Sequence, residues 1–122
     1  MVEKVPADVE AKYNKYLQLR ETLAALSQER IVMEGTIAEI ESVLEKIKQL
    51  GDDTELFKIV GSVLVKTSKE DIVKELESRK DDLETRLMAV KSQESSIKKE
   101  LDRLAEEIKR LLGGGGQAGV AG

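Results

Sequence analysis

Apolar side chains recur at heptad spacing over two stretches of nearly equal length, and this constrains the fold more than any other feature. In the first stretch, about Pro6 to Leu50, one heptad position reads Val9, Tyr16, Leu23, Arg30, Ile37, Leu44. The other reads Lys12, Leu19, Leu26, Met33, Ile40, Ile47. Ten of these twelve are apolar or aromatic. In the second stretch, about Ser68 to Leu112, the positions read Leu76, Leu83, Val90, Ile97, Leu104, Leu111 and Val73, Lys80, Leu87, Glu94, Leu101, Ile108, again ten of twelve apolar. A period of 3.5 held this long marks helices that bury a narrow seam against a partner helix. The expected class is mainly α: a helix over 6–50, a β-hairpin over 56–67 and a helix over 68–112, the helices folding back as an antiparallel coiled coil.

The ends of the stretches carry helix signals. Pro6 suits a first turn, where its missing N–H costs nothing, and Asp8 and Glu10 place negative charge at the helix start. Gly51 follows Leu50 as a C-cap, with a polar turn at Asp52, Asp53 and Thr54. For the second helix, Thr67 with Glu70 has capping-box spacing, and Ser68 with Asp71 is a weaker version. Pairing the seams antiparallel sets Leu23 against Leu101 and Met33 against Val90, and places Arg30 opposite Glu94, a contact expected to help fix register.

Between the helices, Leu56 to Lys66 is rich in β-branched residues and too short for a helix. Gly61-Ser62 between two apolar runs predicts a two-residue hairpin turn with glycine first. The ribbon is apolar on both faces: Leu56 and Val60 point one way, Phe57 and Ile59 the other. An isolated two-stranded hairpin is marginal in water, and its edges stay open for pairing. The hairpin residues Leu56, Phe57, Ile59, Val60, Gly61, Val63, Leu64 and Val65 are therefore expected to form an assembly surface, where hairpins of neighbouring chains complete a sheet or barrel.

Where the first helix starts and the second ends, Val2, Val5, Val9, Tyr13, Tyr16 and Leu17 face Leu104, Ile108, Leu111 and Leu112. End-packing accounts for Tyr16 and Leu104. Tyr13, Leu17 and Leu112 fall off the seam, and apolar surface beyond the seam's needs marks a binding surface. Both readings stand on the residues alone. The glycine-rich run from Gly113 to Gly122 is expected to be disordered, and it lacks the lysine and Ser/Thr of a phosphate loop.

Composition closes off other classes. The 122 residues contain neither cysteine nor histidine. That removes disulfides, thiol catalysis, the usual zinc ligands and histidine-based triads. Asp52 and Asp53 are read as turn formers, so no enzyme and no cofactor are expected. The net charge is −4, with 20 basic and 24 acidic residues interspersed. No basic stripe points to nucleic acid, no apolar run approaches a membrane span, and no export signal is visible at the start. The cytoplasm is the expected compartment.

The spacing Lys58, Gly61, Leu64, Val65, Lys66, Thr67, followed by Leu76, Leu83 and Leu87, resembles the beta class of the prefoldin family in its archaeal form. The resemblance covers about Val5 to Leu112. A connector with room for one hairpin is similar to the beta class rather than the alpha class. The resemblance implies a hexamer of two alpha and four beta subunits, with hairpins forming a β-barrel body and coiled coils hanging from it. It implies an ATP-independent holdase whose tips grip non-native protein and deliver it to a group II chaperonin. The tip residues named above would be the client-contacting set. The competing reading is a passive structural coiled coil without client binding.

Overall fold

The computed structural model describes residues 6–113. Helix α1 spans Ala7–Lys48, strand β1 Leu56–Val60, strand β2 Val63–Thr67 and helix α2 Lys69–Leu112. The chain divides into two compact units: Met1–Glu29 with Val90–Gly122, and Arg30–Ala89. Each helix contributes a segment to each unit. Val5 and the run from 114 to 122 lie outside the described residues.

Pro6 stands at the N-cap of α1 rather than in its first turn, since its carbonyl accepts the Glu10 N–H at 3.0 Å. At the other end, the N–H groups of Gln49 and Leu50 bond to Lys46 and Ile47, three residues back, and tighten the last turn. The helix therefore stops at Lys48, two residues before the end that the periodicity suggests. Helix α2 opens at Ser68. Its hydroxyl accepts the Asp71 N–H at 3.1 Å and its carbonyl accepts Ile72 N–H at 3.0 Å. Thr67 is unavailable for that role because it is the last residue of β2, paired with Leu56.

In the unit holding the hairpin, the core is Met33, Ile37, Ile40 and Leu44 of α1. Cross-helix ion pairs join Glu41 to Lys80 at 3.2 Å and Lys48 to Glu77 at 3.2 Å. Residues late in α1 thus meet residues early in α2, so the helices run antiparallel here. In the other unit, the core is Val9, Val90, Leu101 and Leu104, with the buried acid Glu94. Lys12 pairs with Glu107 at 2.8 Å, again antiparallel. Among the described residues, every buried side chain stands at one of the two heptad positions. Glu94 accepts from Ser27 Oγ at 2.6 Å in this unit, and in the unit holding the hairpin Arg30 donates to Glu34 at 3.1 Å.

The strands pair antiparallel, with Ile59 opposite Leu64 and Val60 opposite Val63. Gly61 has φ +62°, and no other described residue has positive φ. Positive φ at the first turn residue alone is the type II′ turn, whose twist matches that of the strands.

Candidate functional site

Two surfaces, one in each unit, gather exposed apolar side chains into clusters, while Ile31, Val32, Val43, Leu50 and Met88 are exposed outside both. The first is the hairpin. Leu56, Lys58, Val60, Val63, Val65 and Thr67 share one face; Phe57, Ile59, Leu64 and Lys66 share the other. The faces are not equivalent. Lys58 Nζ reaches Glu75 Oε1 at 2.8 Å, which ties its face to the first turns of α2. Leu56 is half-buried on that side, whereas Phe57, Ile59 and Leu64 are exposed, Ile59 at 75%. Val60, Val63 and Val65 are exposed as well. Burying a large aliphatic side chain is worth roughly 1.5–3 kcal/mol, so this ribbon holds much unrealised stabilisation until something covers it.

The junction beside the hairpin carries a clamp that the sequence alone does not announce. Lys69 Nζ donates to the carbonyl oxygens of Lys48 at 3.1 Å and Leu50 at 2.7 Å, and meets Asp52 Oδ1 at 3.4 Å. One ammonium thus satisfies orphan carbonyls at the negative end of α1, where a cation is favoured.

The second surface lies where α1 begins and α2 ends. Val9 at 3% and Leu104 at 1% exposure are core residues that hold the helices together, so of the expected client-contacting set they form the floor. Tyr16 and Ile108 are half-buried. Tyr13 at 51%, Leu17, Leu111 and Leu112 at 61% are exposed. Tyr13 and Tyr16 stack with ring centroids 6.5 Å apart and planes 11° from parallel. Val9, Glu10, Tyr13, Asn14, Ile108 and Leu112 line an open groove of about 560 Å³. A smaller depression of about 220 Å³ lies among Tyr13, Tyr16, Ala105, Ile108 and Lys109. Tyr13 and Ile108 are common to both, so they form the ridge between two adjoining apolar hollows. Glu10, Asn14, Ala105 and Lys109 are additions to the expected set; Glu10 and Ala105 stand three residues before Tyr13 and Ile108 on the same helix face, and Asn14 and Lys109 directly follow them.

A run of alternating charges knits the helices beside this groove. Lys12 bonds Glu107, Glu107 bonds Arg103, Arg103 bonds Glu100, and Lys15 approaches Glu100 at 3.6 Å. The Arg103 guanidinium donates to Glu100 through Nε at 2.9 Å. That hydrogen bonding, opposed by desolvation, holds the Glu100 carboxyl down at about 2. Glu107 also lies below the ordinary carboxylate value, chiefly because the Lys12 ammonium donates to it. Both acids stay ionised at neutral pH, and neither is poised to exchange protons with a substrate. Among the described residues no cluster of acidic side chains could hold a metal ion, and no helix is long and apolar enough to cross a membrane.

Comparison with known proteins agrees with this arrangement of helix, hairpin and helix. The family described as "Prefoldin subunit" matches residues 10–115. The prefoldin subunit beta of Saccharolobus islandicus strain L.S.2.15 is 39% identical over 124 residues, covering 98% of this chain and 98% of that protein. The prefoldin subunit beta of Sulfolobus acidocaldarius is 34% identical over 112 residues, covering 92% of this chain and 90% of its own length. The crystal structure of the prefoldin beta subunit from Thermococcus strain KS-1 superposes with a TM-score of 0.81 at 29% identity, covering 88% of this chain and 95% of that one.

Proposed function

The chain belongs to the prefoldin family as a chaperone subunit of the beta type, and from that premise we propose that it is an ATP-independent holdase that grips non-native protein through the apolar groove where α1 begins and α2 ends. Prefoldin subunits are chaperones, not enzymes, and the acids beside the groove serve to join the helices.

The exposed apolar surface around Tyr13 and Leu112 carries this reading. A protein that must hold many clients cannot rely on one shaped pocket. It needs shallow apolar hollows in several copies, so that weak contacts add through effective concentration. The hairpin supplies the copies. Its exposed face of Phe57, Ile59 and Leu64 favours assembly with other hairpins into a barrel body, here assigned to two alpha-class and four beta-class subunits. In this reading 1–112 acts as one prefoldin-like domain in the cytoplasm, and held clients pass to a group II chaperonin.

The deciding experiment mixes the assembled complex with a chemically unfolded protein and follows light scattering without ATP. Suppressed scattering is the expected result. Unchanged scattering would leave the chain a passive coiled-coil scaffold.

A further inference from the structure

Next to the apolar groove a second depression, of about 690 Å³, follows the exposed side of α1 among Asn14, Leu17, Gln18, Arg20, Glu21 and Ala24. Asn14 lines both, so the two adjoin along the helix. From Val9 to Ala24 the combined strip covers roughly 22 Å at 1.5 Å per residue. Its middle is uncharged: Tyr13, Asn14, Leu17 and Gln18 lie between Glu10 at one end and Arg20 and Glu21 at the other.

These four residues form two parallel ladders. Tyr13 and Leu17 are four residues apart, and so are Asn14 and Gln18. Four residues of helix advance about 6.0 Å. Two residues of an extended strand advance about 6.6–6.8 Å, and alternate side chains of such a strand point the same way. An extended segment laid along the strip therefore meets one amide and one apolar side chain at every second residue. A side-chain amide both donates and accepts, so each can bond the N–H and C=O of a single strand residue whatever its side chain. Asn14 and Gln18 are exposed, so their polar groups can exchange water for that backbone.

We propose that the Tyr13–Gln18 strip docks an extended segment of a non-native polypeptide, with Asn14 and Gln18 reading its backbone and Tyr13 and Leu17 its alternate side chains. This rests on the holdase reading and names the conformation of client that it holds. An unfolded chain carries unpaired backbone groups along its whole length, and a folded one has them satisfied internally. Backbone reading thus separates unfolded from folded protein without regard to sequence, which apolar contact alone does less sharply.

The test titrates the assembled, full-length protein with a short labelled peptide carrying leucine at alternate positions, and with its backbone N-methylated counterpart, by fluorescence anisotropy. For the native sequence, N-methylation should weaken binding about tenfold, the equivalent of two modest hydrogen bonds. In the double variant Asn14→Ala/Gln18→Ala, the parent peptide should bind about tenfold more weakly, and N-methylation should then cost little. Both positions are exposed and alanine favours helix, so circular dichroism should be unchanged. Equal binding of the parent peptide by the variant and the native protein overturns the backbone reading alone. Tighter binding after removal of Met1–Val5 also overturns it, by showing that the chain's own start occupies the strip. If the native complex neither binds the peptide nor suppresses aggregation, the holdase reading falls with it.

Discussion

Ser27 Oγ donates a 2.6 Å hydrogen bond to Glu94 Oε2, and so places a charge-assisted contact in a unit whose other buried side chains, Val9, Val90, Leu101 and Leu104, are aliphatic. Glu94 is 4% exposed. A buried carboxylate is costly unless bonded, so the serine opposite it is as much a part of the core as a leucine would be. Ser27→Ala should destabilise the protein by about 1–3 kcal/mol, the cost of removing a hydrogen bond to a buried charge. Glu94→Leu should be neutral or stabilising, because apolar replacement of a buried charge often is. Urea unfolding followed by circular dichroism would show both, and a destabilised Glu94→Leu would mean that the carboxylate does more than fill the seam.

Acid should weaken the charge network beside the groove in a defined window. Glu100 titrates at about 2 in the fold against an ordinary 4.5. A depressed carboxylate contributes stability that is complete above its unfolded value and is lost as pH falls through its folded one. The melting temperature should therefore decline as pH drops from 4.5 toward about 2. Arg103→Met should move the Glu100 titration, read by NMR of its side-chain carboxyl, upward toward 4.5. A Glu100 midpoint unmoved by that change would show that Arg103 is not the cause.

The hairpin should behave as an assembly element rather than a stability element of the single chain. Ile59 is exposed and contributes little to its own core. Ile59→Asp should lower the sedimentation coefficient of the assembled complex while leaving helix content intact. Charge placed in a newly dry interface costs several kcal/mol, on the order of 2–7 for an unpaired polar group. An unchanged sedimentation coefficient would remove this face from the assembly.

Two substitutions in the groove should part company. Tyr13→Ser with Leu112→Ser removes exposed apolar surface and should reduce aggregation suppression with little change in melting temperature. Leu104→Ala should do the reverse. It empties a fully buried position and should cost about 2–5 kcal/mol of stability. Protection lost in proportion to stability in both variants would refute a client-binding role for the exposed residues.

Much of this architecture is legible in the chain because its dominant signals are local. A 3.5-residue period marks the positions from which buried side chains are drawn, and Val9, Met33, Ile37, Leu101 and Leu104 are buried there, whereas Leu111, at the same position in the last heptad, is 46% exposed. The same period leaves Tyr13, Leu17 and Leu112 off the seam, and they are exposed. Gly61 as first turn residue follows from adjacency alone. The competition between Thr67 and Ser68 for the α2 cap is settled by something nonlocal: Thr67 is held in the strand by Leu56, so the stronger-looking box yields to the weaker. The Lys69 clamp is equally invisible, because it exists only once the 49–55 turn has brought two carbonyls and Asp52 round to a residue some twenty positions later. The Asn14–Gln18 pair escapes a search for apolar pattern because amides carry no hydropathy signal.

Gly61 adds a consequence of its own. A Cβ built there meets nothing within 4 Å, yet its φ is +62°. Crowding is therefore not what excludes other residues from the hairpin tip; chirality is. An L-alanine would be strained by roughly 1–2 kcal/mol, whereas its mirror-image isomer, introduced by chemical ligation, would suit the II′ bend and stiffen it. A single stereocentre could thus tune how firmly the ribbon is preorganised for its neighbours without altering one side chain on either face.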